Sequence, residues 1–431
     1  MEYKSKFYAK RGDKVKNRTI LSLIKQRSAS RLGRLIALTG ARQTGKTTLV
    51  QTGFSDYSYI SLDDPITRPD FTAISATQWY QQYPNVILDE VQKAPAIIES
   101  IKAVYDQYPD ARSILLGSSQ ILLMEQIRES LAGRISLIEL YPLTLPEMMT
   151  DSWSDTIVDS RFIRFLKTGE RDILYSGMPL QSERYAQVVH HMAHYLNFGA
   201  MPAVVDPLLT IRDKYDWLHD YIQTYLQRDL RDLANLRDLT PFARMQRALA
   251  GLTGALLNMN ELAQLTGVTS KTVKRFISYL EISYQVILLQ PWFRNLNKRL
   301  SKASKVHFLD PGIQRALLNR RGQLTGHEFE SAIIAEIYKQ IQNSRLPIDC
   351  YHLRTADGRE VDLLLETENG FVPIEIKMAE RIAFTDARHL RKLDEILDKP
   401  ILQAVVLSND PRIHDLGDGI VALPVGWALG A

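Results

Sequence analysis

GARQTGKT (Gly40–Thr47) stands between the apolar run RLIALT (34–39) and the helix-like opening TTLV (47–50). Two glycines with four residues between them, then lysine and threonine, form the G-x-x-x-x-G-K-[ST] pattern. Glycines let backbone N–H groups approach phosphate oxygens, and the start of the following helix favours negative charge. The spacing predicts a nucleotide site formed by Gly40, Ala41, Arg42, Gln43, Thr44, Gly45, Lys46, Thr47 and Thr48. Lys46 is assigned to the β- and γ-phosphates and the Thr47 hydroxyl to Mg²⁺. An accidental glycine-rich turn has no need of a strand before it and a helix after it.

Working outward, YSYISLDD, NVILDE and SILLGSS are further apolar runs separated by helical or polar stretches. This alternation predicts a parallel α/β sheet. NVILDE delivers Asp89 to a strand end, where it is expected to help hold Mg²⁺, and Glu90 is placed to activate a water. A switch that only binds nucleotide needs the Asp; hydrolysis also calls for the Glu. At the tip of ILLGSSQ, Ser118 or Ser119 is expected to position that water, against the plainer reading of an ordinary turn. Arg134, in ESLAGRI, is expected either to reach a neighbouring subunit's γ-phosphate in a homo-oligomer or to form an intramolecular ion pair.

Apolar content of 45% and charged content of 24% are those of an ordinary globular protein. No apolar run approaches the ~18 residues a membrane span needs. The charged opening MEYKSKFYAKRGDKVK lacks a signal-peptide core, so a cytoplasmic protein without membrane partners is expected. Cys350 is the only cysteine, which excludes an internal disulfide and a cysteine metal cage. Positive charge is concentrated at the front: residues 1–34 hold eleven Lys/Arg against two acids. They read as a basic arm for nucleic acid or an acidic partner, or as a solvated amphipathic leader helix.

Residues 146–240 read as a mostly helical lid or linker. MNELAQLTGVTSKTVKRFISYLEI then reads as two helices around a turn at Gly267, with Val273, Phe276, Ile277 and Leu280 on one buried face. From Gly267 to Lys305 there are eight Lys/Arg and one acid, Glu281. Lys271, Lys274 and Arg275 on the second helix, with Lys298 and Arg299 on a wing, are expected DNA contacts. A structural role for the same segment is the alternative.

The last third holds VDLLLETENGFVPIEIK (361–377). Alternation puts Glu375 and Lys377 on one face of a strand, and Asp362 on the same face of its strand as Glu360. An amphipathic helix before them carries Glu330. The order helix, three strands, helix, strand matches the nuclease core of the PD-(D/E)XK type. Glu330, Asp362, Glu375 and Lys377 are therefore expected to form a metal-dependent phosphodiesterase site with a second Mg²⁺ or Mn²⁺. An ion-pair cluster in a domain that only binds is the alternative.

The runs LTGARQTGKTTL, ISLDDP, VILDEVQKAP, ILLGSSQ, ESLAGRI, YLNFGAMPAVV, PWFRNLNKRLSKASKVHFLDPGI and RTADGREVDLLLE cover nearly the whole chain. Together they resemble the AAA+ ATPases whose C-terminal half is catalogued as domain of unknown function 4143. One departure is Leu116, where such proteins usually carry threonine. The resemblance implies an α/β protein with a P-loop AAA+ ATPase core, a helical and winged-helix middle, and a restriction-endonuclease-like α/β C-terminal domain. The expected boundaries are an arm at 1–34, the core at 35–145, the helical region at 146–240, the winged helix at 241–315 and the nuclease-like domain at 320–431. Two functions are compatible with these readings. One is an ATP-hydrolysing protein that binds or remodels DNA, with cleavage by its tail. The other is an ATP-governed switch or scaffold whose C-terminal domains bind partners without cutting.

Overall fold

A computed structural model describes residues 15–117, 127, 129–176, 182–226, 238–355 and 357–430. Its first layer is a five-stranded parallel sheet of β1 (Leu35–Thr39), β2 (Ser58–Ser61), β3 (Asn85–Asp89), β4 (Arg112–Leu116) and β5 (Ser136–Glu139), in the order β2-β3-β4-β1-β5. All five residues of β1 are buried, as expected of a parallel strand covered on both faces. Leu35 and Ala37 face one core with Ile97 and Ile101. Ile36 and Leu38 face the other, with Leu49 and Val50 of α1 (Lys46–Gly53).

Ile20 and Ile24 belong to that second core, on the helix Ile20–Ala29. The second half of the basic stretch therefore does not stand apart as an arm. Lys25 and Arg27 lie exposed on the outer side of a helix docked on the sheet.

The second sheet has eight strands, in the order β12-β13-β11-β10-β9-β8-β6-β7. β6 (Val286–Pro291) and β7 (Lys305–Phe308) are the hairpin of the helix-turn-helix unit, whose helices are α2 (Met259–Thr266) and α3 (Ser270–Ile282). Gly267 between those helices has φ 71°, a left-handed turn that favours glycine. The remaining strands are β8 (Asp349–Arg354), β9 (Glu360–Glu366), β10 (Phe371–Lys377), β11 (Ala404–Ser408), β12 (His414–Asp415) and β13 (Ile420–Pro424). β6 pairs in parallel with β8 through Gln290–Tyr351 and Pro291–His352. The expected winged helix and nuclease-like domain thus share one sheet, and the wing is its edge.

The long helix α4 (Gly326–Ser344) packs on this sheet and meets the helical region on its other side. Phe162, Phe165, Tyr195 and Leu196 share a core with Ile333, Ile337, Leu363 and Ile374. Tyr195 Oη donates to the Ala332 carbonyl at 2.9 Å and Trp427 Nε1 to the Leu174 carbonyl at 2.9 Å. Residues of the supposed lid are thereby anchored to the C-terminal half. No helix among the described residues is long and apolar enough to cross a membrane.

Candidate nucleotide site and the acid pocket

The phosphate-binding loop leaves the end of β1 through Gly40 at φ 140°, where a Cβ would lie 2.1 Å from the Leu140 carbonyl oxygen. Gln43 and Gly45 also have positive φ, 62° and 93°, which turns the loop into α1. Lys46 Nζ donates to the Gly40 and Ala41 carbonyls at 2.7 and 2.8 Å, and Thr44 Oγ1 to Ala41 at 2.9 Å. Beyond β4 in the sheet, β3 brings Asp89 to the same edge. Thr47 Oγ1 donates to Asp89 Oδ2 at 2.9 Å, and Tyr59 Oη donates to the same oxygen at 2.7 Å.

Glu90 follows with φ 58° and ψ 39°, a conformation a non-glycine residue adopts only at a cost of about 1–3 kcal/mol. Gln92 Nε2 donates to its carboxylate. Lys46, Thr47, Asp89 and Glu90 line one cavity of about 620 Å³, with Gly117 at the end of β4 and Pro202 and Ala203 across it. A second cavity of about 350 Å³, lined by Val15, Leu49, Trp153, Pro202 and Val205, shares Gly45 and Thr48 with the first. A hydroxyl and a carboxylate in direct contact are an oxygen donor set that fits Mg²⁺, which is bound through few protein oxygens and keeps several waters.

The loop is held from outside by residues that local sequence patterns do not mark. Arg18 is buried; its guanidinium donates to the Thr44 carbonyl at 2.9 Å, the Tyr141 carbonyl at 2.5 Å and Glu147 Oε2 at 3.1 Å. Tyr221 Oη donates to the Arg42 carbonyl at 3.1 Å. The helical region thus reaches the loop directly, through Pro202 and Tyr221.

Other expected site residues fall elsewhere. Ser118 and Ser119 lie outside the described residues. Arg134 makes a two-pronged pair with Asp106, at 2.8 and 3.2 Å, on the helix Pro95–Gln107. That is the intramolecular arrangement, and Arg134 does not line the nucleotide cavity. On the helix-turn-helix, Lys271, Lys274 and Arg275 are exposed on α3, and Lys298 is exposed beyond the hairpin strand β6. Arg299 corrects the expected wing. It is 9% exposed, bonded to Glu366 Oε2 and Tyr351 Oη at 3.0 Å each, with its guanidinium 5.2 Å from the Trp292 ring centre. The merging of hairpin and tail into one sheet supplies that carboxylate and the Tyr351 ring.

In the tail, Glu330, Asp362 and Glu375 are all buried and near enough to shift one another's protonation. Asp362 Oδ2 accepts from Ile376 N at 2.8 Å, and Lys377 Nζ donates to Glu375 Oε1 at 2.6 Å. Burial, then repulsion from Glu330 and Glu375, raises the Asp362 carboxyl well above its ordinary range. The spacing of the tail residues did not reveal Lys305, counted above with the basic edge. It is 3% exposed, and its Nζ lies 2.7 Å from Glu360 Oε1 and 3.2 Å from Glu330 Oε1. Burial works against the ammonium, but Glu330, Asp362 and Glu360 outweigh it and raise its pKa.

The expected second divalent ion finds no support in this pocket. An ammonium already sits among the acids, and no group of three or more His, Cys, Asp or Glu among the described residues is arranged to hold a metal.

Comparison with known proteins assigns families to three stretches of the chain. A family profile described as "AAA domain" matches residues 33–149, and one described as "Domain of unknown function (DUF4143)" matches residues 325–428. Between them, "Domain of unknown function (DUF8612)" matches residues 189–324. The chain is similar to the uncharacterized proteins Rv2008c of Mycobacterium tuberculosis and Mb2031c of Mycobacterium bovis. Each is 27% identical over 415 residues, covering 92% of this chain and 81% of the relative. Among solved structures, the Walker-type ATPase paby2304 of Pyrococcus abyssi aligns with a TM-score of 0.46 and 15% identity, over 70% of this chain and 96% of that chain. The chain carries an AAA-family ATPase domain and ends in a domain of unknown function 4143.

Proposed function

We propose that this protein binds and hydrolyses ATP at the Lys46–Glu90 site and couples that cycle to a DNA contact made by α3, while its tail does not cut. The observation that carries the reading is the gathering of Lys46, Thr47, Asp89 and Glu90 around one cavity. Loop N–H groups and Lys46 bind and orient the phosphates. Thr47 and Asp89 would hold Mg²⁺, which would neutralise phosphate charge when bound. Glu90 orients the attacking water and accepts its proton. Backbone strain at Glu90, together with its Gln92 bond, supports a residue held for function rather than for packing. The adjoining cavity with Leu49, Trp153 and Val205 offers apolar walls suited to the base.

Intrinsic fluorescence tests the base seat. Mg-ATP is expected to change the tryptophan emission of the full chain, and Trp153→Phe is expected to remove most of that change. An undiminished response in Trp153→Phe places the base elsewhere.

For DNA, the supporting feature is the exposed trio Lys271, Lys274 and Arg275 on the second helix of a helix-turn-helix. Each charge that meets a phosphate contributes about one unit to the slope of log affinity against log salt. Replacing all three by Gln is expected to weaken duplex binding and lower that slope by about two to three units. Binding that keeps its strength and slope assigns α3 to packing between subunits or domains. Phosphate release with and without duplex, single-stranded and branched DNA tests the coupling: stimulation supports it, and indifference to all three favours the switch or scaffold reading.

A further inference from the structure

Lys305 opens β7, so it belongs to the helix-turn-helix hairpin, yet its ammonium ends in the tail's acid pocket. It pairs with Glu330 from α4 and Glu360 from β9, and Asp362 from β9 lies within reach of its charge; Glu375 from β10 adjoins Asp362. Glu375 Oε2 is buried and makes no hydrogen bond, so the pocket retains unsatisfied acceptor capacity. Lys377 bonds Glu375 from a half-buried position. The neighbouring His307 and His352 do not add charge near neutral pH, because burial pushes them down to about 3 and about 4. Lys305 is therefore the fully buried cation among these acids.

We propose that Lys305 is the resident cation of this pocket: it neutralises the acids where a nuclease fold would place a divalent ion, closes the tail to metal chemistry, and ties the tail to the helix-turn-helix hairpin. An ammonium about 3 Å from two carboxylates and a divalent ion bound to the same oxygens would repel each other strongly in a poorly solvated site. One position cannot hold both. The arrangement also explains why a lysine is tolerated at the buried start of this strand: its partners come from α4 and β9, which belong to the tail. This inference concerns the tail alone, and its outcome is independent of ATP binding at Lys46.

Mn²⁺ titration of the nucleotide-free full chain, followed by electron paramagnetic resonance of the free ion, tests it. The native protein is expected to show no saturable Mn²⁺ site that Asp362→Asn removes. Lys305→Ala is expected to gain one, and Lys305→Ala with Asp362→Asn to lose it again. A native site abolished by Asp362→Asn, or a Lys305→Ala protein without any site, overturns the proposal. Thermal melts keep the test decisive if Lys305→Ala folds poorly. Mn²⁺ should raise the Tm of Lys305→Ala and leave that of the native protein unmoved, and adding Glu330→Gln should recover part of the lost stability. A Lys305→Ala protein whose Tm responds to neither contradicts the proposal.

Discussion

Glu90→Gln is expected to bind Mg-ATP as tightly as the native chain and to release phosphate about 10²- to 10³-fold more slowly. Glutamine keeps the size of the side chain and the hydrogen bonding to Gln92, but it cannot accept a proton from water. Glu90 has a left-handed backbone and lines the same cavity as Lys46 and Thr47. Loss of the carboxylate charge should therefore appear in kcat rather than in affinity. Single-turnover and steady-state phosphate release, with nucleotide affinity measured separately, check this. Normal turnover by Glu90→Gln would move the water-activating role to another residue.

Arg18→Met is expected to cost about 3–5 kcal/mol of stability, the scale for removing one partner of a buried ion pair. Glu147 would keep its acceptor bonds to Thr19 N at 2.8 Å and Thr144 N at 3.0 Å but lose its guanidinium. The Thr44 and Tyr141 carbonyls would lose donors in the same step. Because Thr44 is part of the phosphate-binding loop, nucleotide affinity should fall together with stability. Urea denaturation should show a lower midpoint with little change in slope. A midpoint within the usual scatter of surface substitutions would mean that the pair contributes no net stability.

The candidate nucleotide site was legible because its parts are local. Eight consecutive residues specify the loop, and an apolar run ending in Asp-Glu specifies β3. What escaped the sequence was set by contacts across long separations. Arg18 meets Glu147 129 positions away, and no local pattern links the two. The β6–β8 junction rests on two residue pairs about sixty positions apart, too little to leave a periodic signal. That junction in turn decides the fate of Arg299 and Lys305. Read along the chain they extend a basic stripe, whereas in the fold they are buried counter-charges for Glu366, Glu330 and Glu360. In the tail, strand alternation correctly brought Asp362 and Glu375 into one pocket. It carried no information about the cation facing them, because that cation is supplied by another segment.

Phosphate release from Mg-ATP by the full chain, set beside Lys46→Ala at equal folded concentration, bears most directly on the role of this site. The native chain should turn over ATP only with a divalent ion present, and Lys46→Ala should show neither measurable nucleotide affinity nor turnover above background. A Lys46→Ala protein that hydrolyses ATP at the native rate would show that the cavity between the phosphate-binding loop and Glu90 is not where the chemistry occurs.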